Sequence, residues 1–291
     1  MTGLAWGLRL AAFAYALVVV GAQAPPSRPS RVISLIPAVT EMLFAIGAGG
    51  QVVGVSSFDT YPPEATTKAR VGALLNPDFE RILSLKPDLV VVYVSQSELI
   101  ARLERVGIPT FVYRHAGLAD VGTTISSIGT RVGRVAEASR LVRDIDANLE
   151  AVRRSTMGRP RLRVALVFGR DTGTLRNMFV SAGVGFLHDL LETAGGQDAF
   201  ADVKRESIQV SAEAMLARAP EVIIETHQSN WDASAMAREQ AVWRTLPALP
   251  AVRMNRIHIV ADDRLFIPGP RVVDAARILA GVIHPGVPPA K

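Results

Sequence analysis

Residues 119–154 contain no proline, and their apolar side chains recur at helical spacing: Val121, Ile125, Ile128, Val132, Val135, Leu141, Val142, Ile145, Leu149 and Val152. That pattern predicts one long helix or two nearly collinear ones, well beyond an ordinary globular helix. On both sides of it, short β-branched runs alternate with helical stretches. Before it come "RVISLI" (31–36), "QVVGVS", "DLVVVYV" and "TFVYR"; after it come "RVALVF" (163–168), "EVIIET" and "RIHIVAD". Such alternation builds mainly parallel sheets covered by helices on both faces. The expected fold is therefore α/β: two lobes, each with a mainly parallel sheet flanked by helices, bridged by one long α-helix. The expected boundaries are an N-terminal lobe at 31–117, the bridging helix at 118–157 and a C-terminal lobe at 160–286.

A repeat within the chain fits two related lobes. "FERILSLKPDLVVV" (79–92) returns as "AEAMLARAPEVIIE" (212–225), pairing Glu80 with Glu213, Leu83 with Leu216, Pro87 with Pro220 and Asp88 with Glu221. Each copy reads as a helix followed by a buried strand. Asn76 or Ser211 can cap, Pro77 suits a first helical position, and an acid in the first turn favours the positive helix end. Capping alone gives no reason for matched acids in both halves. Two carboxylates at corresponding ends of two lobes suit docking onto a two-fold partner that carries arginines.

The N-terminus reads as an export signal. Arg9 precedes "LAAFAYALVVVGAQA", with small residues for cleavage after Ala22 or Ala24. Residues 1–24 are the expected signal peptide; the alternative is an uncleaved membrane anchor, although the apolar run is short for a span. The chain has no cysteine, so an exported form must rely on its cores, which suits a bacterial periplasm. The net charge of +5 comes mostly from arginines spread singly along helical stretches, so no nucleic-acid partner is expected.

Other candidates sit at strand ends. "SLIPAVTE" (34–41) brings Pro37, Thr40 and Glu41 to a strand-to-helix turn, where open α/β sheets bind ligands. Phe58, Tyr61, Tyr93, Phe168, Phe179 and Trp231 could line a cleft with flat apolar groups, and "ADDRLFIPGPR" adds Asp262, Asp263, Arg264 and Phe266. Packing in the core is the competing explanation for any one of these rings. No Gly-rich phosphate loop, GxSxG or HExxH motif is present, and His115, His188, His227, His258 and His284 show no metal-ligand spacing. Neither enzymatic activity, a resident cofactor nor a metal site is expected; a hydrolase using Ser34 or Ser56 with a histidine is the rival from another class.

Five stretches carry a family resemblance: "RVISLIPAVTEMLFAIGAGGQVVGVSSFDTYPPEA", "VGALLNPDFERILSLKPDLVVV", "GIPTFVY", "AGGQDAFADVKRESIQVSAEAMLARAPEVII" and "VWRTLPALPAVRMNRIHIVADDRLFIPGPRVVDAARILAGVIHP". Together they cover nearly all of 31–285. The chain resembles the helical-backbone (class III) periplasmic solute-binding proteins that feed ABC importers of vitamin B12, iron siderophores and haem. The resemblance implies two α/β lobes, a bulky metal-chelate ligand between them, and a monomer that docks on a permease dimer with its ATPase subunits. By position, Glu80 and Glu213 are the permease-docking acids. From strand-end position and the resemblance together, the expected ligand-binding residues are Pro37, Phe58, Tyr61, Leu74, Tyr93, Phe168, Phe179, Ser207, Trp231, Asp263 and Arg264. Against the B12-binding members, Phe58 and Tyr93 keep aromatic character and Phe179 matches a second-lobe Phe. Leu74 and Ser207 stand where Trp is expected. Asp263 matches an Asp, whereas Ile267 replaces an Arg. Cobalamin or another corrinoid is the favoured ligand, with a ferric siderophore or haem as alternatives.

Overall fold

A computed structural model of the chain describes residues 28–228 and 231–286. The signal peptide expected over 1–24 lies outside the described residues. The first lobe runs β1 (Val32–Ser34), α1 (Pro37–Ala45), β2 (Val52–Val55), β3 (Ala69–Arg70), α2 (Phe79–Ser84), β4 (Leu89–Tyr93), α3 (Ser97–Arg105) and β5 (Thr110–Tyr113). Its sheet has the order β3-β2-β1-β4-β5, and every pairing is parallel. β1 is buried along its whole length and β4 everywhere except Tyr93. Burial on both faces is why these strands read as unbroken apolar runs. The chain leaves β1 towards β2 and later returns on its other side as β4. The C-terminal ends of β1 and β4 therefore flank the switch point where such sheets bind ligands.

The proline-free stretch forms two helices, α4 (Ala119–Val132) and α5 (Val135–Thr156), and they are not collinear. Gly133 ends α4 with φ 74°, the left-handed region that favours glycine. The chain then folds back. A Cβ on Gly122 would sit 3.4 Å from Val142 Cγ1, and one on Gly129 would overlap the Ala138 Cβ. The two helices thus pack side by side, and the bridging helix is α5 alone, 22 residues long. One apolar cluster runs from Val32 and Met42 through Ile125, Ile145 and Leu149 to Val164, Leu166 and Leu279. The same core therefore continues from lobe to lobe.

The second lobe runs β6 (Arg163–Gly169), β7 (Met178–Ser181), α6 (Phe186–Thr193), β8 (Gln197–Asp198), β9 (Ser207–Val210), α7 (Ala212–Arg218), β10 (Val222–His227), α8 (Ala233–Val242), α9 (Pro250–Arg253), β11 (Ile257–Ala261) and α10 (Val272–Ile283). Its sheet is mixed. β11, β10, β6 and β8 pair in parallel, while β7 runs antiparallel to both β6 and β9.

The internal repeat is real at the level of the backbone. Lys86 and Ala219, each just before the matched proline, share a left-handed conformation at φ 47° and 46°. Asp88 N–H donates to Arg31 O at 3.0 Å, and the Asp88 carboxylate accepts from Arg31 N at 2.8 Å. Glu221 N–H donates to Arg163 O at 2.8 Å, and its carboxylate accepts from Arg163 N at 2.9 Å. In each lobe the acid thus ties the start of one strand to the start of its parallel neighbour. Partial burial pushes the Asp88 carboxyl up, but hydrogen bonds from Ser30 and Arg31 outweigh it and hold the group below its ordinary range. The caps also match. Asp78, rather than Asn76, caps α2 by accepting from Arg81 N at 2.9 Å, so Pro77 precedes the cap instead of occupying the first helical position. Ser211 caps α7 by accepting from Ala214 N at 3.3 Å.

Candidate functional site

The C-terminal ends of the first-lobe strands open into a pocket of about 520 Å³. Pro37 starts α1 just after β1, Phe58 follows β2, Leu74 precedes α2 and Tyr93 ends β4; all four line the pocket. From the second lobe, Phe266, Ile267 and Pro268 close one side. Among the described residues that line it there is no Lys, Arg, Asp or Glu. Its lip is apolar yet open to water: Phe58 is 68% exposed and Leu75 94%. Clustered exposed apolar groups of this kind mark a binding surface.

Two further lining residues, Tyr113 and His115, escaped the reading of the sequence. They continue a row of rings out of the sheet. Tyr93 and Tyr113 have centroids 5.8 Å apart, and Tyr113 stacks on His115 at 6.3 Å. His115 then meets Phe186, at the start of α6, edge-on at 5.4 Å, so the row crosses to the second lobe. Tyr113 Oη and His115 Nδ1 are buried with no hydrogen-bond partner among the described residues. Burial, then the neighbouring Tyr93 and Asp120, push the Tyr113 hydroxyl pKa far up. Burial lowers that of His115 against the pull of Asp120, Glu206 and Asp189. Both side chains are therefore neutral near pH 7.

The remaining predicted residues lie elsewhere. Tyr61 faces a separate hollow of about 550 Å³, where the Arg271 guanidinium lies 4.0 Å from its ring centre. Arg271 also crosses between lobes to Glu41 on α1, with Nε 2.9 Å from Oε2 and Nη2 bonded to Oε1. Glu41 is accordingly an interlobe anchor and lines that hollow rather than the pocket, while Thr40 Oγ1 donates back to Ile36 O at 3.2 Å. Burial raises the Glu41 carboxyl in spite of Arg271, so desolvation outweighs pairing at this group. Leu118 N adds a second tie, donating to Asp189 Oδ2 at 2.9 Å.

In the second lobe, Phe168 at the end of β6 pairs with Phe179 on β7, centroids 6.4 Å apart. Trp231 stacks on His227 at 3.7 Å. His227 Nε2 lies 2.7 Å from Glu225 Oε1, and Glu225 is itself buried against Arg170 at 3.0 Å and Trp243 Nε1 at 2.7 Å. Arg170 bridges on to Glu239 at 2.7 Å, so a closed polar network holds the Trp231 platform. Ser207 lies on β9 opposite Ser181. Arg264 is engaged by Asp262 at 2.6 Å and by Asp274 at 3.8 Å, and Asp263 opens the short helical turn between them. The structure therefore brings Pro37, Phe58, Leu74 and Tyr93 into one pocket. Tyr61, Phe168, Phe179, Ser207, Trp231, Asp263 and Arg264 do not line it.

Glu80 and Glu213 each stand two residues beyond the cap of α2 or α7, exposed to water. The Ser211 hydroxyl holds the Glu213 carboxyl below its ordinary range, so it is ionised at any physiological pH.

Comparison with known proteins places this architecture. A vitamin B12-binding protein of Salmonella typhimurium is 30% identical over 87% of this chain and 90% of its own length. An uncharacterized ABC transporter substrate-binding lipoprotein of Bacillus subtilis is 28% identical over 88% of this chain and 81% of its own. The crystal structure of the periplasmic vitamin B12 binding protein of Vibrio cholerae superposes with a TM-score of 0.74, at 25% identity, covering 88% of this chain and 96% of that one. The model of the periplasmic binding protein family matches residues 32–263, from β1 to just past β11, and the chain belongs to that family.

Proposed function

We propose that the chain is the exported substrate-binding component of an ABC importer, and that it holds a corrinoid between its lobes for delivery to a permease dimer. The observation that carries the ligand assignment is the pocket at the ends of β1, β2, β4 and β5, walled by Pro37, Phe58, Leu74 and Tyr93 and bare of charged side chains. A corrin ring is broad, apolar on its faces and edged by neutral amides. Haem brings two carboxylates, and many ferric siderophores are anionic; an uncharged apolar wall leaves such groups unpaired. A ligand as broad as a corrinoid extends beyond this pocket, and Tyr61, Phe168, Phe179, Ser207, Trp231, Asp263 and Arg264, which do not line it, are the further contacts proposed there. The vitamin B12-binding relatives point to the same ligand class.

Delivery rests on Glu80 and Glu213. They occupy equivalent first turns in the two lobes, both exposed, and charge pairing with arginines of a two-fold permease orients the docked complex. The continuous core from lobe to lobe favours small adjustments over wide hinge closure. The test is a visible-absorption titration of the purified chain with cobalamin, haem and a panel of ferric siderophores. Saturable spectral change with cobalamin supports the assignment. Saturation by haem or a siderophore in its place transfers the site to that ligand, and no change with any of them removes the cargo role.

A further inference from the structure

We infer that Tyr113 and His115 form a neutral donor–acceptor pair that reads a carboxamide on the rim of the ligand, and so select amidated chelates over carboxylated ones. The inference rests on the corrinoid reading of the pocket and goes beyond it by naming the residues that set ligand preference.

Three observations converge on it. Tyr113 is 4% exposed, yet its hydroxyl has no partner, and His115 Nδ1 two residues on is unpaired as well. A buried polar group left without a hydrogen bond destabilises a fold, so native proteins retain few of them, and those few call for an explanation. Second, both side chains line the pocket, on the same strand end and with their rings stacked, so the two orphaned groups face one ligand together. Because both atoms are screened from water, bulk solvent does not satisfy them. The lining side chains must therefore rotate for a group on the ligand to reach them.

The third observation is chemical. A phenol hydroxyl donates and accepts, and a neutral imidazole carries one donor and one acceptor. A primary amide, which also donates and accepts, can satisfy both partners. A carboxylate only accepts, and it would enter a wall that holds no cation to compensate its lost hydration. Burial keeps the phenol protonated and the imidazole uncharged, which removes the one local cation that could have favoured an acid.

The experiment compares dicyanocobinamide, which carries amides, with dicyanocobyrinic acid, which carries carboxylates at the equivalent positions. Affinities are measured by calorimetry for the wild-type chain, Tyr113→Phe and His115→Leu. The wild-type chain should prefer the amide by tenfold or more. Each variant should bind the amide about 3- to 10-fold more weakly, as expected for loss of a neutral hydrogen bond, with binding of the acid unchanged, so the preference narrows. Tyr113→Phe should melt no lower than wild type, since it removes an unsatisfied hydroxyl; a loss of affinity through misfolding would lower the melting temperature instead. An unchanged amide preference in both variants, with wild-type binding intact, overturns the pairing of Tyr113 and His115 while leaving the corrinoid reading standing. If the wild-type chain binds neither corrinoid, the corrinoid reading itself falls and this inference with it.

Discussion

The ion pair between Glu41 and Arg271 ties the two lobes together, and Arg271→Met tests how much it holds. The Glu41 side chain is 2% exposed and that of Arg271 21%. Removing one partner of a buried pair costs about 3–5 kcal/mol, because a buried charge is left uncompensated. Residual water around Arg271 places this site at the low end, about 3 kcal/mol. For a chain of this size each kcal/mol lowers the melting temperature by about 2–4 °C, so the variant should melt about 6–12 °C lower at pH 7.5. The loss should shrink in acid. Burial already raises the Glu41 carboxyl, and without Arg271 it rises further. The folded variant then takes up a proton more readily than its unfolded chain. By linkage it regains stability relative to wild type as pH falls towards 5. Replacing both partners, Glu41→Leu with Arg271→Met, should recover at least half of the loss. Calorimetric melts at pH 7.5 and 5.0 decide it. A drop of less than about 2 °C at pH 7.5, or an equal drop at both pH values, would refute a buried, desolvated anchor.

Three further outcomes follow from separate features. Glu80→Lys combined with Glu213→Lys should leave ligand affinity unchanged and abolish permease-dependent uptake in a cell-based transport assay; normal uptake would contradict the docking role. Asp88→Ala and Glu221→Ala should each destabilise by about 0.5–1.5 kcal/mol in denaturant melts, because the water-exposed strand starts at Arg31 and Arg163 lose a hydrogen-bond acceptor. For Asp88, whose carboxyl is held below its ordinary value, that contribution is present above about pH 4 and vanishes as pH falls through the folded pKa, so wild type and Asp88→Ala should converge in strong acid. Gly129→Val should cost about 1–3 kcal/mol by wedging α4 away from Ala138, whereas collinear helices would tolerate it.

The legible parts of the sequence were those with local causes. The first-lobe strands were readable because burial on both faces writes an apolar run. The repeat was readable because both copies place a proline and then an acid just before a buried strand; the left-handed residue ahead of each proline, Lys86 or Ala219, emerged only in the structure. The fold-back between α4 and α5 was not: helical spacing persists through Gly133, and only a glycine in the left-handed region marks the reversal. The antiparallel pair of β7 and β9 was missed because both strands are short and partly exposed, so neither gives an apolar run. Within the site, Pro37, Phe58 and Tyr93 follow from their positions at strand ends, whereas Leu74 follows only from the family resemblance. Tyr61 does not join them, since Arg271, distant in sequence, draws its ring to the seam. Tyr113 and His115 were invisible because lacking a hydrogen-bond partner is a property of the packed protein. The alternation in "TFVYRH", which sets Tyr and His two apart at a strand end, was their only local trace.

A corrinoid cargo is tested most directly by calorimetric titration of cobalamin into the wild-type chain and into Phe58→Ala with Tyr93→Ala. One cobalamin per wild-type chain is expected, with affinity at least tenfold weaker in the double variant and its melting temperature otherwise maintained. Undiminished binding by the double variant, or no heat of binding with the wild-type chain, would contradict a corrinoid seated between Phe58 and Tyr93.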